Sequence, residues 1–129
     1  MKLTFTTEAI ERLDKYVAKD KQILLDFEDG VGPFSAVGSC SLDGGYRLIF
    51  IDKGLSMKDF DTQINSNLGL VKIKGESRAQ FDDQMKIRFN RHLFTLPLVS
   101  DRRTLTENVE VVDYSRGNFP EKLRGQHDC

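Results

Sequence analysis

The chain has 129 residues, 19 basic and 20 acidic side chains, a formal net charge of −1 and 39% hydrophobic residues. That is enough for one domain with its own core, and it lacks the positive excess that binding to phosphate backbones requires, so nucleic acid is not expected as a partner. No stretch approaches the ~20 apolar residues of a membrane span; the two cysteines give no disulfide framework, and Met1 to Ile10 carries Glu8 and no long apolar run, which together point to a reducing cytoplasm.

Lys2 to Phe5 alternates polar and apolar residues, and Thr6-Thr7 then offers a cap for a helix over Glu8 to Val17. Its apolar stripe is Ile10, Leu13 and Val17, and Glu8 and Glu11 sit in the first turn, where carboxylates meet the positive end of the helix dipole. From Gln22 the period changes: Ile23 to Glu28 reads as a strand closed by Asp29-Gly30, with Asp26 and Glu28 sharing one face. That acidic pair invites a metal or acid-base reading, but acids alternating along a half-buried strand are expected on its wet side. Tyr46 to Ile51 is the most apolar strand and is expected at the centre of a sheet.

Gln63 to Ser66 and Leu68 to Lys74 read as two strands around Asn67 or Gly69, with Val71 and Ile73 inward and Lys72 and Lys74 outward. Glu76 to Phe81 suits a helical turn, and Met85, Ile87 and Phe89 alternate against Lys86 and Arg88. His92 to Val99 is another apolar run, in which Pro97 marks an edge or a strand end. Ser100 to Glu107 reads as polar loop and Val109 to Val112 as a last strand, and from Tyr114 onward two glycines, one proline and weak periodicity predict a flexible tail. One helix and seven or eight short strands predict a mainly β (α+β) domain over residues 1–113, a distorted sandwich or barrel with a packed N-terminal helix, followed by the tail at 114–129.

Between the strands that end near Phe27 and start at Tyr46 lies a loop rich in small residues, with Gly30, Gly32 and Pro33 before Gly38-Ser39-Cys40-Ser41 and Gly44-Gly45 after it. Its backbone can bend sharply and approach a ligand or a second chain closely. Cys40 is either a small buried apolar residue or a thiolate ligand.

In this order of elements the sequence resembles the HesB/IscA-like (A-type carrier) iron-sulfur cluster biosynthesis domain over roughly residues 2 to 113. The family's Gly-Cys-Ser-Gly loop and following strand with a terminal acid are similar to Gly38-Ser39-Cys40-Ser41 and the strand to Asp52. Its strand, glycine-serine turn and strand resemble Leu70 to Ser77 followed by Met85 to Phe89, and its asparagine-valine resembles Asn108-Val109. In cluster carriers a Cys-Gly-Cys follows that pair, whereas here the window reads Glu110-Val111-Val112-Asp113-Tyr114.

The resemblance implies a non-enzymatic accessory or carrier in which Cys40 ligates iron or a labile cluster, with iron-sulfur assembly proteins as partners. Since a cluster takes about four protein ligands, mostly thiolates, Cys40 alone implies a site shared between subunits of a homodimer. The alternative is a family member that kept the fold, lost the metal and acts as a protein-interaction module. His127-Asp128-Cys129 lines up three ligand-type side chains, but at a chain end, where a preorganised site is not expected. His92 beside Arg91, with Lys86 and Arg88, reads as a solvated basic face. No G-x-S-x-G, P-loop or paired histidines supply a catalytic motif.

Overall fold

A computed structural model describes residues 1–17, 21–27, 45–53 and 58–114. β1 (Lys2–Phe5) buries Leu3 and Phe5 and ends at Thr6, whose hydroxyl accepts from the Ala9 amide at 3.2 Å and so caps α1 (Thr7–Leu13). The helix is shorter than its apolar stripe suggests, and it buries Ala9 and Leu13 while Ile10 and Val17 are only partly covered against the core.

β2 (Lys21–Phe27) and β3 (Tyr46–Asp52) pair antiparallel along their whole length, from Lys21 opposite Asp52 to Phe27 opposite Tyr46. β4 (Thr62–Ser66) and β5 (Gly69–Ile73) form the expected hairpin. A 3-10 helix over Gly75–Gln80 takes the place of the predicted helical turn; its first residue has no room for a side chain, because a Cβ at Gly75 would stand 2.7 Å from Asp61 Oδ1, the atom that accepts the Gly75 N–H at 2.9 Å. β6 (Gln84–Ile87) turns Met85 and Ile87 inward, as its alternation predicts.

The segment from His92 to Leu96 is not a strand. Asn90 Oδ1 accepts from the amides of His92 and Leu93 at 2.9 and 3.2 Å, a side-chain turn that takes up the donors a ladder would need, and the next strand, β7 (Leu98–Ser100), begins only after Pro97. The stretch read as polar loop contains a short strand, β8 (Thr104–Thr106), and β9 (Glu110–Tyr114) extends to a buried Tyr114. The described residues thus hold nine strands, where the sequence predicted seven or eight.

All nine belong to one mixed sheet of order β8-β7-β6-β1-β4-β5-β2-β3-β9. The edge strands β8 and β9 are nevertheless joined by residues 107–109 alone, a step of at most about 14 Å. Nine strands laid flat would hold their edges about 38 Å apart, so the sheet must curl into a half-barrel. Inside the curl, Leu3, Phe5, Leu25, Leu48, Phe50, Val71, Ile73 and Ile87 pack with Ala9 and Leu13 of the helix. β3 lies one place from an edge instead of at the centre, and it is buried on both faces: Ile49 and Ile51 form a second cluster with Leu24, Phe60 and Tyr114. The architecture is the mainly β, distorted-barrel fold with a packed N-terminal helix that the sequence predicts.

Candidate functional site

Cys40 lies outside the described residues, as do Glu28, His127 and Cys129. What the structure describes is the base from which the Cys40 segment departs, namely the end of the β2–β3 hairpin where Phe27 faces Tyr46. One pair further into the sheet, Asp26 faces Arg47, and the two are joined by an Arg47 Nη2 to Asp26 Oδ2 bond of 2.9 Å. From the position just after β5, at the cap of the 3-10 helix, Lys74 reaches the other carboxylate oxygen, with Nζ 2.9 Å from Oδ1. All three side chains are buried, Asp26 and Lys74 at 1% exposure each.

This overturns two expectations. Asp26 is not on a wet face, and Lys74 does not point to solvent like an ordinary alternating strand lysine. For Asp26 the reason is that β2 and β3 are covered on both sides, so the parity that separates wet from dry on a half-buried strand does not apply to them; Lys74 lies past the end of β5, where it caps the 3-10 helix, so strand alternation does not set its direction. A signal was present in the unbroken runs Ile23-Leu24-Leu25 and Leu48-Ile49-Phe50-Ile51, which are the mark of doubly covered strands and would have placed Asp26 and Arg47 inside. Burial raises the Asp26 pKa above its ordinary value, and Lys74 first and Arg47 second pull against that rise.

Aromatic packing stiffens the same end. Tyr46 meets Phe27 and Phe81 edge-on, with ring centroids 5.0 and 5.8 Å apart, and its hydroxyl donates to the Gln80 carbonyl at 2.8 Å. Burial pushes the Tyr46 phenol up from its ordinary value. The two residues that resembled the family's asparagine-valine prove to be structural: Asn108 Oδ1 accepts from the Leu96 amide at 3.0 Å, and the Val109 amide donates to the Leu96 carbonyl at 2.8 Å. They deliver β9 parallel to β3 with Glu110 opposite Arg47, at the hairpin end that carries the Cys40 segment.

The positions after Asn108-Val109 are therefore beside the base of the Cys40 segment, and they hold Glu110, Val111 and Val112, of which none offers sulfur. Among the described residues no three histidine, cysteine or acidic side chains gather as a metal site. His92 is exposed on the Asn90 turn rather than on a strand, and its neighbour Arg91 pairs with Glu8 at 2.5 Å. Among the described residues no helix is long and apolar enough to cross a membrane.

The family pattern described as iron-sulphur cluster biosynthesis matches residues 1–113. Among solved structures, the chain is similar to a candidate Fe-S biosynthesis protein from Lactobacillus salivarius, with 35% identity and a TM-score of 0.81 over 90% of this chain and 100% of that one. A candidate Fe-S biosynthesis protein from Lactobacillus acidophilus shares the fold at 20% identity, with a TM-score of 0.68 over 88% and 90% of the two chains. No match is found among curated proteins. With its matched segment spanning every described strand up to β9, the chain belongs to the iron-sulphur cluster biosynthesis family.

Proposed function

We propose that the protein is a non-catalytic accessory of iron-sulphur cluster biosynthesis that offers one thiolate, Cys40, to iron or a labile cluster and takes the remaining ligands from a second chain. The observation that supports this reading is the sulfur-free start of β9 beside the hairpin base. Where cluster carriers of the family bring two further thiolates, this chain brings Glu110-Val111-Val112, so a cluster wanting about four ligands must be shared, across a homodimer or with an assembly protein. A reducing cytoplasm suits this role, because it keeps a lone thiol unoxidised.

A second reading, a fold retained without metal as a protein-interaction module, is favoured by the Asn90 turn. It holds Leu93 and Phe94 67% and 68% exposed, with Phe94 at a φ of 54°, a backbone conformation that aromatic residues seldom adopt.

The test is anaerobic reconstitution of the protein and of its Cys40→Ser variant with iron and sulfide, read as bound iron and visible absorbance. The expected result is weak iron binding by the parent, shared between chains, and none by the variant. Tight stoichiometric iron in Cys40→Ser would overturn the Cys40 assignment, and no binding by either would establish the interaction module.

A further inference from the structure

On the outside of the curl, the adjacent strands β6, β1, β4 and β5 present a face of their own. Leu3, Ile64, Val71, Ile73, Met85 and Ile87 point into the core, so the residues that alternate with them lie on the convex side. The register fixes where its charges stand. Lys86 of β6 is level with Thr4 of β1, Lys2 of β1 with Asn65 of β4, and Lys72 of β5 with Gln63 of β4. Each lysine is thus one or two strands across and two residues along from the next, which sets the three on a diagonal with steps of about 8 and 12 Å and a length of about 20 Å. Lys2 and Lys86 are exposed and Lys72 is half-buried, while Leu70, level with Asn65 on the same side, is 54% exposed. The face ends at β2, whose outward Leu24, opposite Lys72, is buried with Phe60.

A wet sheet face is ordinarily kept soluble by charges of both signs, set against one another across the strands. This one has a single sign. No aspartate or glutamate lies in β1, β4, β5 or β6, in a chain where 20 of 129 residues are acidic. Among the described residues Lys2, Lys72 and Lys86 have no carboxylate within ion-pair distance, whereas Lys21 has Asp52, Arg91 has Glu8 and Arg103 has Asp82. Cations left unmatched on one face select an anionic partner over a neutral or basic one. The outward residues of these strands include no aromatic ring on which a base could stack, and three cations on a chain of net charge −1 are too few to hold a phosphate backbone, so carboxylates suit the face better than nucleic acid does.

We infer that the convex face of β6, β1, β4 and β5 docks an acidic surface of another protein, with carboxylates along the line Lys86, Lys2, Lys72 and an apolar side chain on Leu70. The inference rests neither on Cys40 nor on the Asn90 turn.

Fluorescence anisotropy of the full chain with a labelled peptide of about eight residues tests it, glutamate alternating with threonine around a central leucine, because such a peptide when extended runs the length of the diagonal. It is expected to bind at low salt and to be released as salt rises to about 0.5 M, with NMR shifts confined to the four strands. The same peptide with glutamine for glutamate should not bind. Lys2→Gln combined with Lys72→Gln and Lys86→Gln should lower affinity about tenfold, and Leu70→Ser should weaken it as well. Lys58→Gln with Arg78→Gln and Arg102→Gln removes as much charge from exposed positions outside the four strands and should change affinity by less than about twofold. Should the lysine triple fail to fold, Lys2→Gln with Lys86→Gln, both at exposed positions, carries the same comparison. The inference is overturned if the acidic peptide does not bind, if the shifts fall elsewhere, or if the two triples weaken binding equally. It is overturned too if oligouridylate or phosphatidylserine vesicles occupy the face more tightly than the peptide, which would make it a nucleic-acid or membrane surface.

Discussion

A buried carboxylate held by two buried cations is expensive to assemble and more expensive to break. Removing Asp26 would leave Lys74 Nζ and Arg47 Nη2 without the oxygens they meet at 2.9 Å, inside a strand pair buried on both faces. Asp26→Asn is therefore expected to cost about 3 kcal/mol or more in urea unfolding, against well under 1 kcal/mol for the same change at an exposed acid such as Glu76. A loss below about 1 kcal/mol would show that the three charges are not a unit. Because Asp26 and Arg47 sit one register pair from Phe27 and Tyr46, the same change should raise amide exchange at the end of the hairpin that carries the Cys40 segment.

Among the elements, the β7–β8 hairpin shows how a short edge strand is kept in place. Asp82, between the 3-10 helix and β6, accepts from Ser100 Oγ at 2.7 Å and from Arg103 Nε and Nη2 at 3.0 and 3.2 Å, so one carboxylate clamps both sides of the turn. Hydrogen bonding from Arg103 and then from Ser100 holds the Asp82 carboxyl below its ordinary value of 3.8. A depressed carboxyl contributes stability that is fully present above 3.8 and is lost as pH falls through the folded-state value. The melting temperature of Asp82→Asn should accordingly lie below that of the parent near neutral pH, with the gap closing in acid below 3.8; a gap independent of pH would refute the clamp.

Elements of this kind also show what a sequence can and cannot reveal. β1, β4, β5 and β6 were legible because each has one wet face and alternates, and α1 because Thr6 caps it. β8 was not, since Thr104-Leu105-Thr106 is too short and polar to stand out, and its pairing with β7 comes from a turn made by Ser100 accepting the Arg102 and Arg103 amides. The site divides in the same way. Asn108-Val109 was legible as a motif, but its role was not, because the partner backbone at Leu96 is twelve residues away. The Asp26, Arg47 and Lys74 group joins two strands and the cap of the 3-10 helix, so the pattern within any one element could not contain it.

At the scale of the whole molecule, the half-barrel holds because a three-residue connection spans its two edges, and Asn108 is the side chain that ties that connection to the rest. Its Oδ1 takes the amide of Leu96, a buried residue just before β7, while the Val109 amide donates back to the Leu96 carbonyl. Edge β8 and edge β9 are thus anchored to one backbone unit, and β9 in turn is paired with β3 over five residues from Arg47 to Ile51. Asn108→Ala deletes the acceptor and leaves the Leu96 N–H without it, a cost of about 1–2 kcal/mol. Asn108→Asp keeps an oxygen in place and should recover most of that loss. The change should be uneven: amide exchange is expected to rise at Leu96 and along β9 while β4, four places from either edge, and β5, five places from β8 and three from β9, keep their protection. Uniform loss of protection across the sheet, or a neutral Asn108→Ala, would mean that the curl is held by its packed interior alone and that the asparagine is incidental to closure.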